Sequence, residues 1–129
     1  MAALKISDLS VGDWVYYDKG NTPCSIRSIY RTGIGDCVVL NDNKYPEGVI
    51  GFVDKLTPIP ITAEILERNG FEENYGRWYN SKAIMEFEQY EDGWCRTINC
   101  GEYSVYFIKY VHQLQHAMRL AGVDKEINL

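Results

Sequence analysis

Between Val11 and Val53 the chain holds four short runs of β-branched and aromatic residues, each cut off by turn chemistry. Val11-Gly12-Asp13-Trp14-Val15-Tyr16-Tyr17 runs into Asp18-Lys19-Gly20-Asn21, and residues 24–31 and 36–40 are split by Gly33 and Gly35. Val49-Ile50-Gly51-Phe52-Val53 follows the loop from Asn41 to Pro46. Runs this short cannot carry a long helix. Strands at a spacing of about ten residues fit a small, strongly bent antiparallel sheet or barrel.

The segment from Asp8 to Val15 reads Asp-Leu-x-Val-Gly-Asp-x-Val. It resembles the first strand of SH3-like small barrels, which implies a barrel for this part of the chain. Leu56-Thr57-Pro58-Ile59-Pro60-Ile61 is then read as a rigid extended connector, because proline fixes φ and denies helix. Thr62 can cap a short helix with Glu64 in its first turn, and Asn69-Gly70 ends it with Phe71 folding back as the apolar contact. Alternation over residues 83–88 sends Ala83, Met85 and Phe87 to one face and Ile84, Glu86 and Glu88 to the other. Glu91-Asp92-Gly93 turns into a strand from Trp94 to Cys100, and Tyr103 to Tyr106 adds a third strand. A last helix is expected from Phe107 to Ala121, with Phe107, Ile108, Val111, Leu114, Met118 and Ala121 on one buried stripe. The expectation is therefore an α+β protein. A barrel-like subdomain spans residues 1–61, and a helix, antiparallel sheet and C-terminal helix span residues 62–129.

Composition narrows the function classes. The 129 residues are 46% hydrophobic and 24% charged, which suits a globular chain rather than a disordered one. Net charge is −5, and residues 62–129 hold seven Lys/Arg against eleven Asp/Glu. Nucleic-acid binding starts from a basic surface that displaces counterions, so DNA and RNA are disfavoured partners. Cys24, Cys37, Cys95 and Cys100 form no C-x-x-C pair, and the first residues lack the apolar core of a signal peptide. Reduced thiols in the cytoplasm are expected, with no membrane span.

The pentapeptide His112-Gln113-Leu114-Gln115-His116 sits on the expected C-terminal helix and nearly matches the His-Glu-x-x-His signature of zinc hydrolases. Histidines four apart share a helix face and are the candidate metal ligands. Gln113, however, stands where that chemistry needs a carboxylate to take a proton from metal-bound water, and an amide is not basic. A third ligand would have to come from Glu86, Glu88 or a cysteine, and Arg119 brings a fixed positive charge to the same side. Flanking roles beside the buried stripe fit both histidines better, so no catalytic residue, metal or cofactor is assigned. A metal-dependent hydrolase with a degenerate motif stays open as a rival. No glycine pattern forms a phosphate loop.

Tyr75, Trp78 and Tyr79, with Tyr103, Tyr106 and Tyr110, are the candidate contact residues, since Tyr and Trp are enriched in interface hot spots. The run from Lys109 to Ala117 resembles a Tyr-Val-His-(Gln/Glu)-Leu-Gln helix that ends a family of small, uncharacterised proteins of gut bacteria and their phages or mobile elements. Ile59-Pro60-Ile61-Thr62, followed by Asn69-Gly70-Phe71, is similar to that family's Pro-Ile-Pro-Leu-Thr … Gly-Phe segment. The resemblance implies context and architecture, with no activity to carry over. Members place Gln or Glu after the first histidine and often lack the second. The reading is a non-enzymatic, cytoplasmic module that binds a protein partner or a second copy of itself. Nucleic-acid binding through an SH3-like module is the other alternative.

Overall fold

In the computed structural model, the first strand starts three residues after its β-rich run begins, because Asp13 is used for something else. The structure describes residues 4–80, 85–90, 93–97, 106–120, 122 and 126–129. Asp13 is fully buried, and its Oδ2 accepts from the Ser10 N–H at 2.8 Å while its own N–H donates to the Ser10 carbonyl at 3.1 Å. That closes a turn over Val11 and Gly12, and β1 spans Trp14–Tyr17.

Contacts divide the chain into two compact units, Met1–Ile59 and Pro60–Leu129. In the first, β1 is followed by β2 (Cys24–Thr32), β3 (Gly35–Leu40), β4 (Val49–Phe52), a 3-10 turn (Val53–Lys55) and β5 (Leu56–Pro58). The antiparallel order is β4-β3-β2-β1-β5. Its core comprises Leu9, Val15, Ile26, Val38, Leu40, Val53 and Leu56. The connector expected at Leu56–Pro58 is indeed extended, and it also pairs with β1 as an edge strand. Among the described residues β4 and β5 are the two edges and do not pair with each other, so the sheet is open rather than a closed barrel.

The second unit holds α1 (Ala63–Arg68), β6 (Glu72–Asn74), β7 (Arg77–Asn80), β8 (Met85–Tyr90), β9 (Gly93–Thr97), β10 (Tyr106–Ile108) and α2 (Val111–Leu120). Its strands form an antiparallel meander, β10-β9-β8-β7-β6. The fold is thus α+β, with two open antiparallel sheets.

The ends of α1 follow from its flanking residues. The Thr62 hydroxyl accepts from the Ile65 N–H at 3.2 Å. At the other end Gly70, with φ of 86°, donates to the Glu67 carbonyl and Phe71 donates to the Leu66 carbonyl. This is the six-to-one and five-to-two pair of a glycine C-cap, which needs a left-handed residue at that position. Phe71 and Leu66 are both buried.

The C-terminal helix starts later than its periodicity suggests. Phe107 and Ile108 were expected as its first turn, but their backbones pair with Cys95 and Trp94 as the edge of the sheet. A helix-period apolar stripe does not reveal where pairing with a neighbouring strand takes over. Within α2 the stripe holds: Val111, Leu114, Ala117 and Met118 are buried. Ile84, Ala83, Ala121, Cys100 and Tyr103 lie outside the described residues. Among the described residues no helix is long and apolar enough to cross a membrane.

Candidate functional site

The hairpin joining β6 to β7 turns in two residues, Tyr75 and Gly76, with Asn74 paired to Arg77. Both turn residues have positive φ, 54° and 79°, as the right-handed twist of a two-residue hairpin requires. Glycine meets that demand without strain. A tyrosine does not, and Asn, Asp or Gly is the ordinary choice there. Tyr75 is also 99% exposed, so no packing inside the chain offsets the backbone cost.

The strands behind this tip sort their side chains by the alternation of the pleat. On β7, Trp78 and Asn80 are buried while Arg77 and Tyr79 face outward, Tyr79 being 42% exposed. On β8, Phe87 is buried against the Phe71 ring, 5.5 Å between centroids. Glu86 and Glu88 lie on the outer face, where Arg77 reaches them at 3.3 and 3.1 Å. A shallow groove runs along this face, lined by Glu72, Glu73, Asn74, Tyr75, Arg77, Tyr79 and Glu86. Arg77 is half exposed, so its ion pairs add little stability. Their consequence is positional: they hold the one cation of the groove against β8, leaving Glu72 and Glu73 exposed on the edge strand.

Gln113 has a different role from the one its neighbours suggest. Its side-chain oxygen accepts from the Lys109 N–H at 2.8 Å and from the Tyr110 N–H at 3.2 Å. Gln113 is the third residue of α2, and Tyr110 precedes the helix, so this is the backward half of a capping box. The backbone there is further tied by the Pro60–Tyr110 bridge and by the Ile61 N–H donating to the Lys109 carbonyl at 2.9 Å. Cutting Gln113 back to alanine removes the acceptor and should lower stability by about 1 kcal/mol. Gln113→Glu keeps an oxygen there and adds negative charge at the positive end of the helix, so stability should hold or rise slightly. Thermal unfolding of the two variants separates them; equal losses would rule out the capping role.

The histidines form an aromatic stack. Tyr110 lies parallel to His112, 6.0 Å between centroids and 8° between planes, and His116 meets His112 edge-on at 5.8 Å. His112 is 3% exposed. Among the described residues no group of three or more His, Cys, Asp or Glu is placed to hold a metal ion. Burial, and then the nearby Asp42 charge, push the Cys24 thiol above its ordinary pKa, which keeps it protonated and a poor nucleophile. Cys37 is buried.

The six candidate contact residues therefore separate. Tyr75 and Tyr79 come together on the outer face of one hairpin. Trp78, between them in sequence, is 2% exposed and cannot take part in a surface contact as the chain stands. Tyr110 is half buried beside His112. Tyr106 belongs to β10, and Tyr103 lies outside the described residues. The carboxylates that frame Tyr75 and Tyr79 were not singled out in the sequence as part of a contact surface. The Tyr75-Gly76 turn, flanked by alternating residues, was the available signal. Comparison with protein-family models, with curated proteins and with solved structures finds no match.

Proposed function

We propose that this chain is a non-enzymatic binding module that takes a basic, extended segment of a protein partner along the β6–β7 hairpin. The observation that carries this reading is Tyr75: a fully exposed aromatic held in a left-handed backbone that favours glycine or asparagine. Residues kept in costly conformations without internal compensation cluster at functional positions. Tyr79 and its cross-strand partner Glu72 supply a flat aromatic and negative charge beside it, and Glu73 adds a second exposed carboxylate to the edge strand. Among the described residues β6 is an edge of its sheet, so an extended segment can add to the sheet through its backbone while Lys or Arg side chains meet the glutamates.

The capping role of Gln113 supports the non-enzymatic half of this proposal. Either Gln or Glu supplies the oxygen a helix start needs, so capping by itself gives a reason for a Gln at this position between the two histidines. For the first unit we propose an SH3-like architecture. The order β4-β3-β2-β1-β5, with a 3-10 turn between the last two strands in sequence, supports it. The resemblance of the Tyr110–Gln115 segment supports a place as an accessory protein of a phage or mobile element.

Selection of a random peptide display library against the full chain is the test. Enriched peptides should be rich in Lys and Arg, and their affinity should fall as salt rises. Tyr75→Asn should weaken a selected peptide by about 30-fold or more. A library that yields no basic peptides, or a peptide whose affinity ignores Tyr75→Asn, would refute the proposal.

A further inference from the structure

Asn69 is the one asparagine of the chain that a glycine follows. An Asn-Gly pair carries its own reaction. The glycine backbone nitrogen can attack the side-chain amide carbon of the asparagine, because glycine has no Cβ to crowd the approach and its backbone turns freely.

Two holds oppose that reaction at Asn69. The Asn69 ψ of 17° keeps the Gly70 nitrogen nearly eclipsed with the Asn69 nitrogen and turned away from Cβ. The Gly70 N–H is also engaged, donating to the Glu67 carbonyl at 3.1 Å. The Asn69 side chain is held separately and lies out of reach of water, with the residue 1% exposed. Its amide nitrogen donates to the carbonyls of Ile65 and Asn128, and its amide oxygen accepts from the Asn128 N–H. Ring closure needs both holds to release. The end of α1 must turn about ψ, and the Asn128 backbone must let the amide go.

We propose that Asn69 is a self-modification site, whose side chain is converted when this clamp opens and whose conversion keeps the clamp open. In the open state the Gly70 nitrogen loses its proton to hydroxide and bonds to Asn69 Cγ. The Cγ–Nδ2 bond breaks, ammonia leaves, and a cyclic imide remains. Water then opens the imide at either carbonyl. The product is an aspartate with the ordinary backbone, or one whose backbone runs through the former side chain. Overall a water is consumed and an ammonia released, with no oxidant or reductant. Neither product re-forms the clamp. An ionised carboxylate has no hydrogen for the Ile65 and Asn128 carbonyls, and the second product also lengthens the backbone where α1 ends.

Incubation of the full chain at mildly alkaline pH, with and without urea, tests the site. Mass spectrometry follows the tryptic peptide 69–77, with fragmentation separating Asn69 from Asn74. Asn69 should convert about 30-fold or more faster in urea, because the folded rate is scaled down by the small fraction of open molecules. Ile127→Ala removes a buried side chain from the segment that covers the amide, so conversion without urea should quicken by about 10-fold or more. Ile127→Val, a smaller cut that keeps the fold, should quicken it by about 3-fold. In urea both variants should match the parent. The converted chain, separated by its added negative charge, should unfold at lower urea than the parent and stay so after refolding. Equal rates with and without urea, or Ile127 variants that convert no faster than the parent, overturn the protection. A converted chain as stable as the parent overturns the lasting opening.

Discussion

Asn69→Ala is expected to lower the stability of the second unit by about 2–3 kcal/mol. Asn69 closes α1 and is 1% exposed. Its amide nitrogen donates to the Ile65 carbonyl and to the Asn128 carbonyl, both at 2.8 Å. Its amide oxygen accepts from the Asn128 N–H at 2.7 Å. One side chain thus pairs with both backbone groups of a residue 59 positions away, as a neighbouring strand would. Asn80 adds a bond from its own amide to the Asn69 carbonyl at 3.2 Å. The clamp holds the last residues against the end of α1, with Ile127 buried. Alanine leaves both backbone groups of Asn128 to find water or go unpaired, while the Ile65 carbonyl keeps the Asn69 N–H at 3.2 Å, and an unpaired buried group costs more than the bond was worth. Asn69→Asp should be at least as damaging, because a carboxylate presents an acceptor to two carbonyl oxygens. Urea unfolding measures both. A loss under about 0.5 kcal/mol, the range of ordinary surface changes, would remove the clamp from the account.

The second large effect divides neighbours in sequence. Trp78→Ala should destabilise by about 3–5 kcal/mol, the range for emptying a buried aromatic site. Trp78 stands directly opposite Phe87 across the β7–β8 pair, and both are buried. Tyr75→Asn, three residues earlier, should instead raise stability by about 1 kcal/mol, since asparagine tolerates the left-handed turn position that tyrosine resists. One variant unfolds the unit that carries the proposed surface; the other stabilises it and removes the contact. Thermal unfolding of the pair, read beside peptide affinity, distinguishes packing from recognition. If Tyr75→Asn proved destabilising, the tyrosine would be serving the fold, and the argument from its strained backbone would collapse.

Local chemistry made much of this architecture readable in advance. Thr62, Asn69-Gly70 and Phe71 mark both ends of α1, because caps are satisfied within a few residues of one another. The runs at 24–31 and 36–40 became β2 and β3 with small shifts at their ends. Alternation at Glu86, Phe87 and Glu88 survived as one buried aromatic between two outward carboxylates. Asp13 was less transparent. In sequence it belongs to a β-rich run, and only the fold shows its carboxylate spent on a turn.

Pairing between distant segments was hidden for a general reason. Whether Phe107 and Ile108 begin a helix or finish a sheet depends on whether a strand partner lies within hydrogen-bonding reach, and Cys95 and Trp94 provide one. The same holds for the aromatic cluster at 75–79. Composition says that Tyr75, Trp78 and Tyr79 can serve either a core or a contact, and pleat direction assigns Trp78 inward and Tyr79 outward. The bond from Asn69 to Asn128 spans nearly half the chain, and no local pattern announces it. Sequence alone determined where backbone groups could be satisfied by their near neighbours: the caps, the turns and the periodic faces. Tertiary structure decided which side chains stayed in water and which oxygen capped which helix, because burial and long-range hydrogen bonds depend on what the rest of the chain brings alongside.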